Sequence, residues 1–346
     1  FLLKSRIKDL QFFSFNFKRY QEHCLYTILW NMKQLSALLF TFACLPSIAQ
    51  NKVLDLEARR VADNCVDIMY RKELPGSFCV GIHFTHLDNT NYPNGSSFTV
   101  NNPRGTLLTL RPSNKDAGIG YHFEYRFIRG ALNPKIKQNI IYLLPFSPGI
   151  KVKAIEAGFA DEKYFGAQKP ADWINYTFYS QNQDTVKACR KGLVVEVVEE
   201  FNDEISGVVE YTSKKNYLLL EHEDGTIMRY MGFKKNSIFV QPGDEVLPGS
   251  ALGISAAANN NYYMVNLLLY YLKSANFEIL QNATFANNQN LYKTLSPQFL
   301  LNDMPGNPEN GAEYISATTE EIITKEMSKK ELKKYKAQLP QPNRLN

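Results

Sequence analysis

Histidine and cysteine are the residues through which this chain could do chemistry, and beyond residue 49 they are few. Four histidines (His83, His86, His122 and His222) and three cysteines (Cys65, Cys79 and Cys189) are available there. A hydrolytic metal centre needs about three protein ligands and one open position, so that the cation pulls the pKa of bound water towards ~7. No two of these histidines are separated by a single residue, and none is followed four residues later by Asp. His83 and His86, in GIHFTH, stand three apart, which on a strand sends them to opposite faces; they read as surface residues. His122 falls on the polar face of YHFEYRF and reads as exposed. Cys189 has no histidine at a recognisable spacing to act as its base, so it reads as a buried thiol. Tyr262, Tyr263, Tyr270 and Tyr271 offer ring faces to sugars, although such residues more often are core and sheet surface.

The elements that must position these residues are mainly strands. Residues 53–72, VLDLEARRVADNCVDIMYRK, are the exception: Val53, Leu56, Val61, Val66 and Met69 share a broad apolar face at helical spacing. A helix over 50–74 is the expectation. From Pro75 the pattern turns to period two, and short aromatic and β-branched runs are divided by Gly, Pro and Asn clusters. In YHFEYRF, for instance, Tyr121, Phe123, Tyr125 and Phe127 alternate with His122, Glu124 and Arg126. An antiparallel β-domain is expected over 75–158, a polar aromatic connector over 159–183 and a second β-domain over 184–275. Residues 276–346 read as strands and loops ending in a surface helix, TTEEIITKEMSKKELKKYK. Thr318 or Thr319 caps it, with Glu early and Lys late as the helix dipole prefers. Its charge run reads as a solvated face.

Composition narrows the function classes. The formal charge is +5, but residues 1–49 hold six Lys/Arg against Asp9 and Glu22, which leaves the remainder near +1. Electrostatics therefore gives no support to a nucleic-acid partner. Met32-Lys33, the apolar run LSALLFTFACL and the small-x-small Ser47-Ile48-Ala49 form the layout of a secretory signal over 32–49, cleaved near Ala49-Gln50. The run is too short to span a bilayer, and no later segment qualifies. Residues 1–31 read as an upstream extension of the reading frame. The expectation is an exported protein, periplasmic or extracellular. Such a compartment permits a disulfide between the nearest pair, Cys65 and Cys79, and two buried unpaired thiols are an equal reading.

Three segments in register carry a family resemblance. They are RKGLVVEV, LLLEHEDGTIMRYM and VQPGDEVLPGSALGISA, in which Glu223-Asp224-Gly225 supplies a hairpin turn and Gly243, Gly249 and Gly253 recur at intervals of six and four. Together they resemble the lysostaphin-type (LytM-like) zinc endopeptidases with their duplicated hybrid motif, over about Asp184 to Leu272. The YRFIRG and YLLPF runs upstream are similar to segments that accompany this domain in Bacteroidetes-type exported proteins. The resemblance implies a mainly β fold: an antiparallel β-domain, then a LytM-like β-domain.

It also implies where zinc ligands belong. The family uses the His and Asp of H-x-x-x-D and the second His of H-x-H, assisted by the first His of that motif and by the His of Y-x-H. Carried over residue by residue, Met264 and Asn266 stand at H-x-H, and Gly232 stands at the histidine of Tyr230-Met231-Gly232. H-x-x-x-D falls on Trp173 to Thr177, which contains neither ligand type. His222 matches a turn histidine of the family and reads as turn packing. The resulting expectation is a degenerate, non-catalytic member without zinc or other cofactor. Gly232, Met264, Asn266, Tyr230, Trp173 and Thr177 would line the former active-site groove. Its role would be binding, scaffolding or regulation in the cell envelope, with a peptide, glycan or protein partner such as a cell-wall hydrolase. The alternative is an active zinc endopeptidase that cuts peptidoglycan cross-bridges or other envelope peptides with ligands from outside the motif.

Overall fold

The computed structural model describes residues 53–156, 174–202, 215–259, 262–280 and 291–338. All of these lie in one compact unit, Lys52–Asn346. The expected signal segment 32–49, the extension 1–31, Trp173 and most of the connector fall outside the described residues.

Residues 53–72 form a hairpin, not the expected helix: β1 (Leu54–Arg60), a short 3-10 turn, and β2 (Val66–Lys72), paired antiparallel from Leu54↔Lys72 to Arg60↔Val66. Two physical reasons decide it. Asp63 and Asn64 adopt φ of 59° and 54°, a left-handed conformation that Asn and Asp tolerate and that breaks a helix. The residues that become buried are Leu54, Leu56, Val66, Ile68 and Tyr70, which have period two within each strand, while Val61 from the helical stripe is exposed. A short connection between two alternating runs mimics helical spacing, because the turn shifts the period by the residues it adds.

The hairpin joins β3 (Phe78–Asp88), β4 (Gly95–Val100), β5 (Arg104–Leu110) and β6 (Gly120–Arg129). Two three-stranded sheets, β1-β2-β5 and β4-β3-β6, share one core that includes Val66, Ile68, Val80, Ile82 and Leu110. Cys79 leaves that core and packs with Val195 and Ile227 instead. Cys65 sits at the hairpin turn with its thiol 3.7 Å from the Asp63 carbonyl oxygen. Both cysteines are free, so the suggested Cys65–Cys79 disulfide is not formed, and they are buried thiols.

The remaining strands are β7 (Ile141–Tyr142), β8 (Lys151–Glu156), β9 (Tyr176–Ser180), β10 (Thr185–Lys187), β11 (Gly192–Val198), β12 (Asn216–Glu221), β13 (Ile227–Phe233), β14 (Glu245–Val246), β15 (Ala251–Ile254), β16 (Ala256–Asn259), β17 (Tyr262–Leu272), β18 (Tyr292–Leu295), β19 (Gln298–Leu301), β20 (Met304–Gly306) and β21 (Glu313–Ile315). Most of them join one large sheet in the order β14-β11-β12-β13-β17-β9-β8-β21, with β16 and β18 also paired to β17. The run 141–156, grouped by sequence with the first β-domain, hydrogen-bonds elsewhere: β8 pairs with β9 and β21 in this sheet, and β7 pairs with β19 in a separate sheet, β20-β19-β7.

Strand β17 explains why YYMVNLLLYYL is apolar almost throughout. Val265, Leu267 and Leu269 face one core with Met228, Tyr230 and Phe178; Leu268, Tyr270 and Leu272 face another with Val195 and Ile227. A strand covered on both sides loses the polar half of its alternation. Among the described residues no helix is long and apolar enough to cross a membrane.

Among the described residues the helices are short: α1 (Phe277–Leu280), α2 (Glu320–Thr324) and α3 (Lys329–Gln338). The single expected C-terminal helix is thus broken at 325–328. Thr319 caps α2 by accepting from the Ile322 backbone N–H at 3.3 Å. Ser328 and Glu331 then exchange backbone–side-chain bonds of 3.3 and 2.7 Å, a capping box that starts a second helix.

Candidate functional site

Alternation and register define the sheet face that carries Met264 and Asn266. On β17, Met264, Asn266 and Leu268 point away from the Val265–Leu267–Leu269 core. The register sets Asn266 beside Met231 of β13 on one side and Thr177 of β9 on the other. The same face thus holds Met264, Asn266 and Thr177. All three are at least nine-tenths buried.

Their chemistry is that of a closed polar cluster. The Asn266 side-chain amide donates to Thr177 Oγ1 at 2.9 Å and to Asn175 Oδ1 at 2.8 Å. Its Oδ1 is buried with no partner among the described residues. Beside it, Lys215 Nζ lies 3.5 Å from the Met264 sulfur, and burial lowers the pKa of this lysine. An amide, a hydroxyl, a thioether and an ammonium group do not fit zinc, which takes thiolate, imidazole or carboxylate. A lysine cation beside Met264 repels a metal ion rather than holding one. Among the described residues, no group of three or more His, Cys, Asp and Glu is placed to hold a metal ion.

Two other predicted positions behave differently. Gly232 has φ of 110°, and a Cβ there would lie 2.7 Å from the Met264 carbonyl oxygen. The backbone at this point accepts glycine and excludes any side chain unless β17 shifts. Tyr230 does not line the groove. Alternation along β13 turns it to the opposite core, where it is fully buried and its hydroxyl accepts from the Cys189 backbone N–H at 2.8 Å. Burial raises its pKa far above the usual phenol value. The same core pushes the Cys189 thiol up to about 12, which removes it as a nucleophile. Trp173 lies outside the described residues.

The remaining histidines show no convergence. His83 stacks on Phe277 with centroids 5.2 Å apart. His86 and His122 are exposed cross-strand neighbours on β3 and β6.

His222 is a turn-packing residue, and its surroundings hold a site that the motifs did not announce. Its Nδ1 lies 2.7 Å from the Lys191 carbonyl oxygen. A carbonyl only accepts, so Nδ1 carries the proton and Nε2 is bare. Burial and the adjacent Arg190 hold its pKa at about 4. Arg190 itself is 2% exposed. Its Nη1 donates to Tyr142 Oη at 3.0 Å and pairs with Asp224 Oδ2 at 3.0 Å. Its Nε and Nη2 each donate to one oxygen of Glu326 at 2.8 Å. Burial opposes the charge on Asp224, but the Thr226 hydroxyl and Arg190 override it and the pKa is lowered. Glu326 follows the same logic, with Arg190 and Lys137 overriding burial.

The acidic turn is thus more than a hairpin. Gly225 takes φ of 79° to close it, and Asp224 turns inward to meet Arg190. The C-terminal charge run is not simply a solvated face either, because Glu326 is drawn into the core. The only sequence signal for this site was a lone arginine in ACRKG, between two runs that become core strands.

No family profile and no curated protein matches the chain. Among solved structures it is similar to an M23 metalloprotease, pseudoalterin, from the deep sea, with 16% identity, coverage of 51% of this chain and 99% of that one, and a TM-score of 0.27. A putative M23 peptidase from Pseudomonas aeruginosa gives 12% identity, 57% and 83% coverage, and a TM-score of 0.26. A zinc-containing peptidase from Vibrio cholerae gives 12%, 63% and 75%, and 0.22.

Proposed function

We propose that this protein is an exported, non-catalytic relative of the lysostaphin-type peptidases that works as a binding or scaffolding module in the cell envelope. One observation carries the reading: at the position where the resemblance puts a zinc-ligating histidine, Asn266 is committed to Thr177 and Asn175 through its amide nitrogen. The side chains that converge there recognise and pack; they do not activate water. The same sheet face carries apolar and hydrogen-bonding groups, with Met231 and Tyr217 half-buried along it and Lys215 half-buried beside Met264. Such a surface suits a peptide or glycan strand. Export rests on the residue pattern of 32–49, and the choice of an envelope partner rests on the family resemblance.

The test is metal content together with activity. Full-length protein purified without chelator should carry zinc far below one ion per chain and should leave cross-linked peptidoglycan and its bridge peptides intact. Stoichiometric zinc, or cleavage that a chelator abolishes, would overturn the reading in favour of an active endopeptidase.

A further inference from the structure

Arg190 divides its guanidinium between two tasks. One edge is built into the core: Nη1 contacts Tyr142, Asp224 and Thr226, and the plane lies 5.6 Å from the Tyr142 ring centroid. The other edge, Nε and Nη2, is given wholly to the two oxygens of Glu326, which arrives from 136 residues along the chain. A planar guanidinium locked on one side and presented on the other is a preorganised carboxylate receptor.

Glu326 belongs to a strap, 317–338, that is weakly held by apolar contacts. Ile322 is the only buried residue of α2, and α3 has none. Polar contacts do the rest: Lys137 Nζ to Glu326 at 3.3 Å, Lys191 Nζ to Glu331 at 2.6 Å, and Lys325 Nζ to the Asn139 carbonyl oxygen at 3.1 Å. Segments with little buried apolar surface open at lower free energy than the core. Departure of the strap would leave Arg190 with Asp224 as its counter-ion, so no naked charge remains buried. Along the strap runs a cavity of about 670 Å³, walled by Gly76 and Ser77, by Glu221 and His222, and by Glu326 to Ser328. It gives a second chain room to enter.

We propose that the edge of Arg190 that faces Glu326, flanked by Lys137 and Lys191, is a recognition site for a glutamate or aspartate side chain of an acidic partner peptide, and that Glu326 occupies it in cis. The strap is then a competitor built into the chain. This site lies apart from the Asn266 groove and stands whether or not that groove binds a ligand.

The experiment uses the full chain and its Glu326→Gln variant. The probe is a fluorescein-labelled copy of residues 320–332 with both ends blocked, and the control is the same peptide with Gln in place of the glutamate equivalent to Glu326. Fluorescence anisotropy should show the probe binding the variant about tenfold or more tightly than the unaltered chain, within the range that coupling between competing sites produces. The Gln control should gain nothing. Hydrogen exchange should quicken over 320–338 in the variant while β11 to β13 stay protected. Equal affinity for the two chains, an equal gain by the control, or loss of protection in β11 to β13 together with the strap would each overturn the proposal. The last outcome would make the pair a core ion pair and nothing more.

Discussion

The Asn266 side-chain nitrogen and Thr177 Oγ1 lie 2.9 Å apart across neighbouring strands β17 and β9. Both residues are buried. This bond, with the one to Asn175, makes the Asn266 face of the sheet a structural cluster.

Asn266→Ala strips Asn175 and Thr177 of their shared donor and should destabilise the protein by about 1–3 kcal/mol, the cost of leaving buried polar groups unpaired. Urea denaturation measures it. Asn266→His should cost at least as much and should not recruit zinc, because one imidazole beside the Lys215 ammonium is not a ligand set. A zinc-dependent rise in the unfolding midpoint of that variant would contradict this account.

Gly232→Ala tests the backbone at a position where only glycine fits. A residue with a Cβ at φ of 110° that also meets a carbonyl oxygen at 2.7 Å should lower stability by about 1–3 kcal/mol or force β17 to shift. Gly149, also at positive φ but with nothing within 4 Å of its would-be Cβ, provides the comparison. Its alanine variant should show only the smaller backbone penalty.

Tyr230→Phe removes the acceptor for the Cys189 N–H together with the hydroxyl's contact to the Cys189 thiol. The expected loss is again about 1–3 kcal/mol. Accelerated exchange of the Cys189 amide should localise it, with no change at the Asn266 face, since the two lie on opposite sides of the sheet.

Acid should loosen the Arg190 site, and the sign follows from three depressed pKa values. His222 is neutral when folded, held at about 4 against an unfolded value of 6.5. The unfolded chain therefore binds the extra proton first, and stability falls as pH drops through that window, with a slope approaching about 1.4 kcal/mol per pH unit. Asp224 and Glu326 are lowered as well, so their contribution is present above the ordinary carboxylate range and is lost as pH falls below it. Thermal unfolding from pH 7 down to pH 4 should show a steady decline. His222→Asn should flatten the upper part of that decline and leave the lower part in place.

Much of this architecture was legible in one dimension. Hairpin turns at Gly225, strand runs with period two, the Thr319 cap and the glycine spacing of 243, 249 and 253 each depend on neighbours a few residues away. Local sequence carries that information. The same logic failed at 53–72, where the apolar residues fit both periods and only the left-handed Asp63-Asn64 turn and the shared core of two sheets decided between them. It failed again at Tyr230, whose motif placed it in the groove and whose strand parity, set by pairing with β12 and β17, turned it into the core.

The amino-acid sequence by itself determined which chemistry is open to this protein. The inventory of imidazole, thiol and carboxylate, and its spacing, is a property of the chain and does not change on folding. What only the tertiary structure decided is which of the remaining polar groups meet. Asn266 with Thr177 is a cross-strand relation fixed by register, and Arg190 with Glu326 joins residues 136 positions apart. Contacts of that kind depend on how sheets and strap pack, because a buried charge must find its partner wherever the fold brings one.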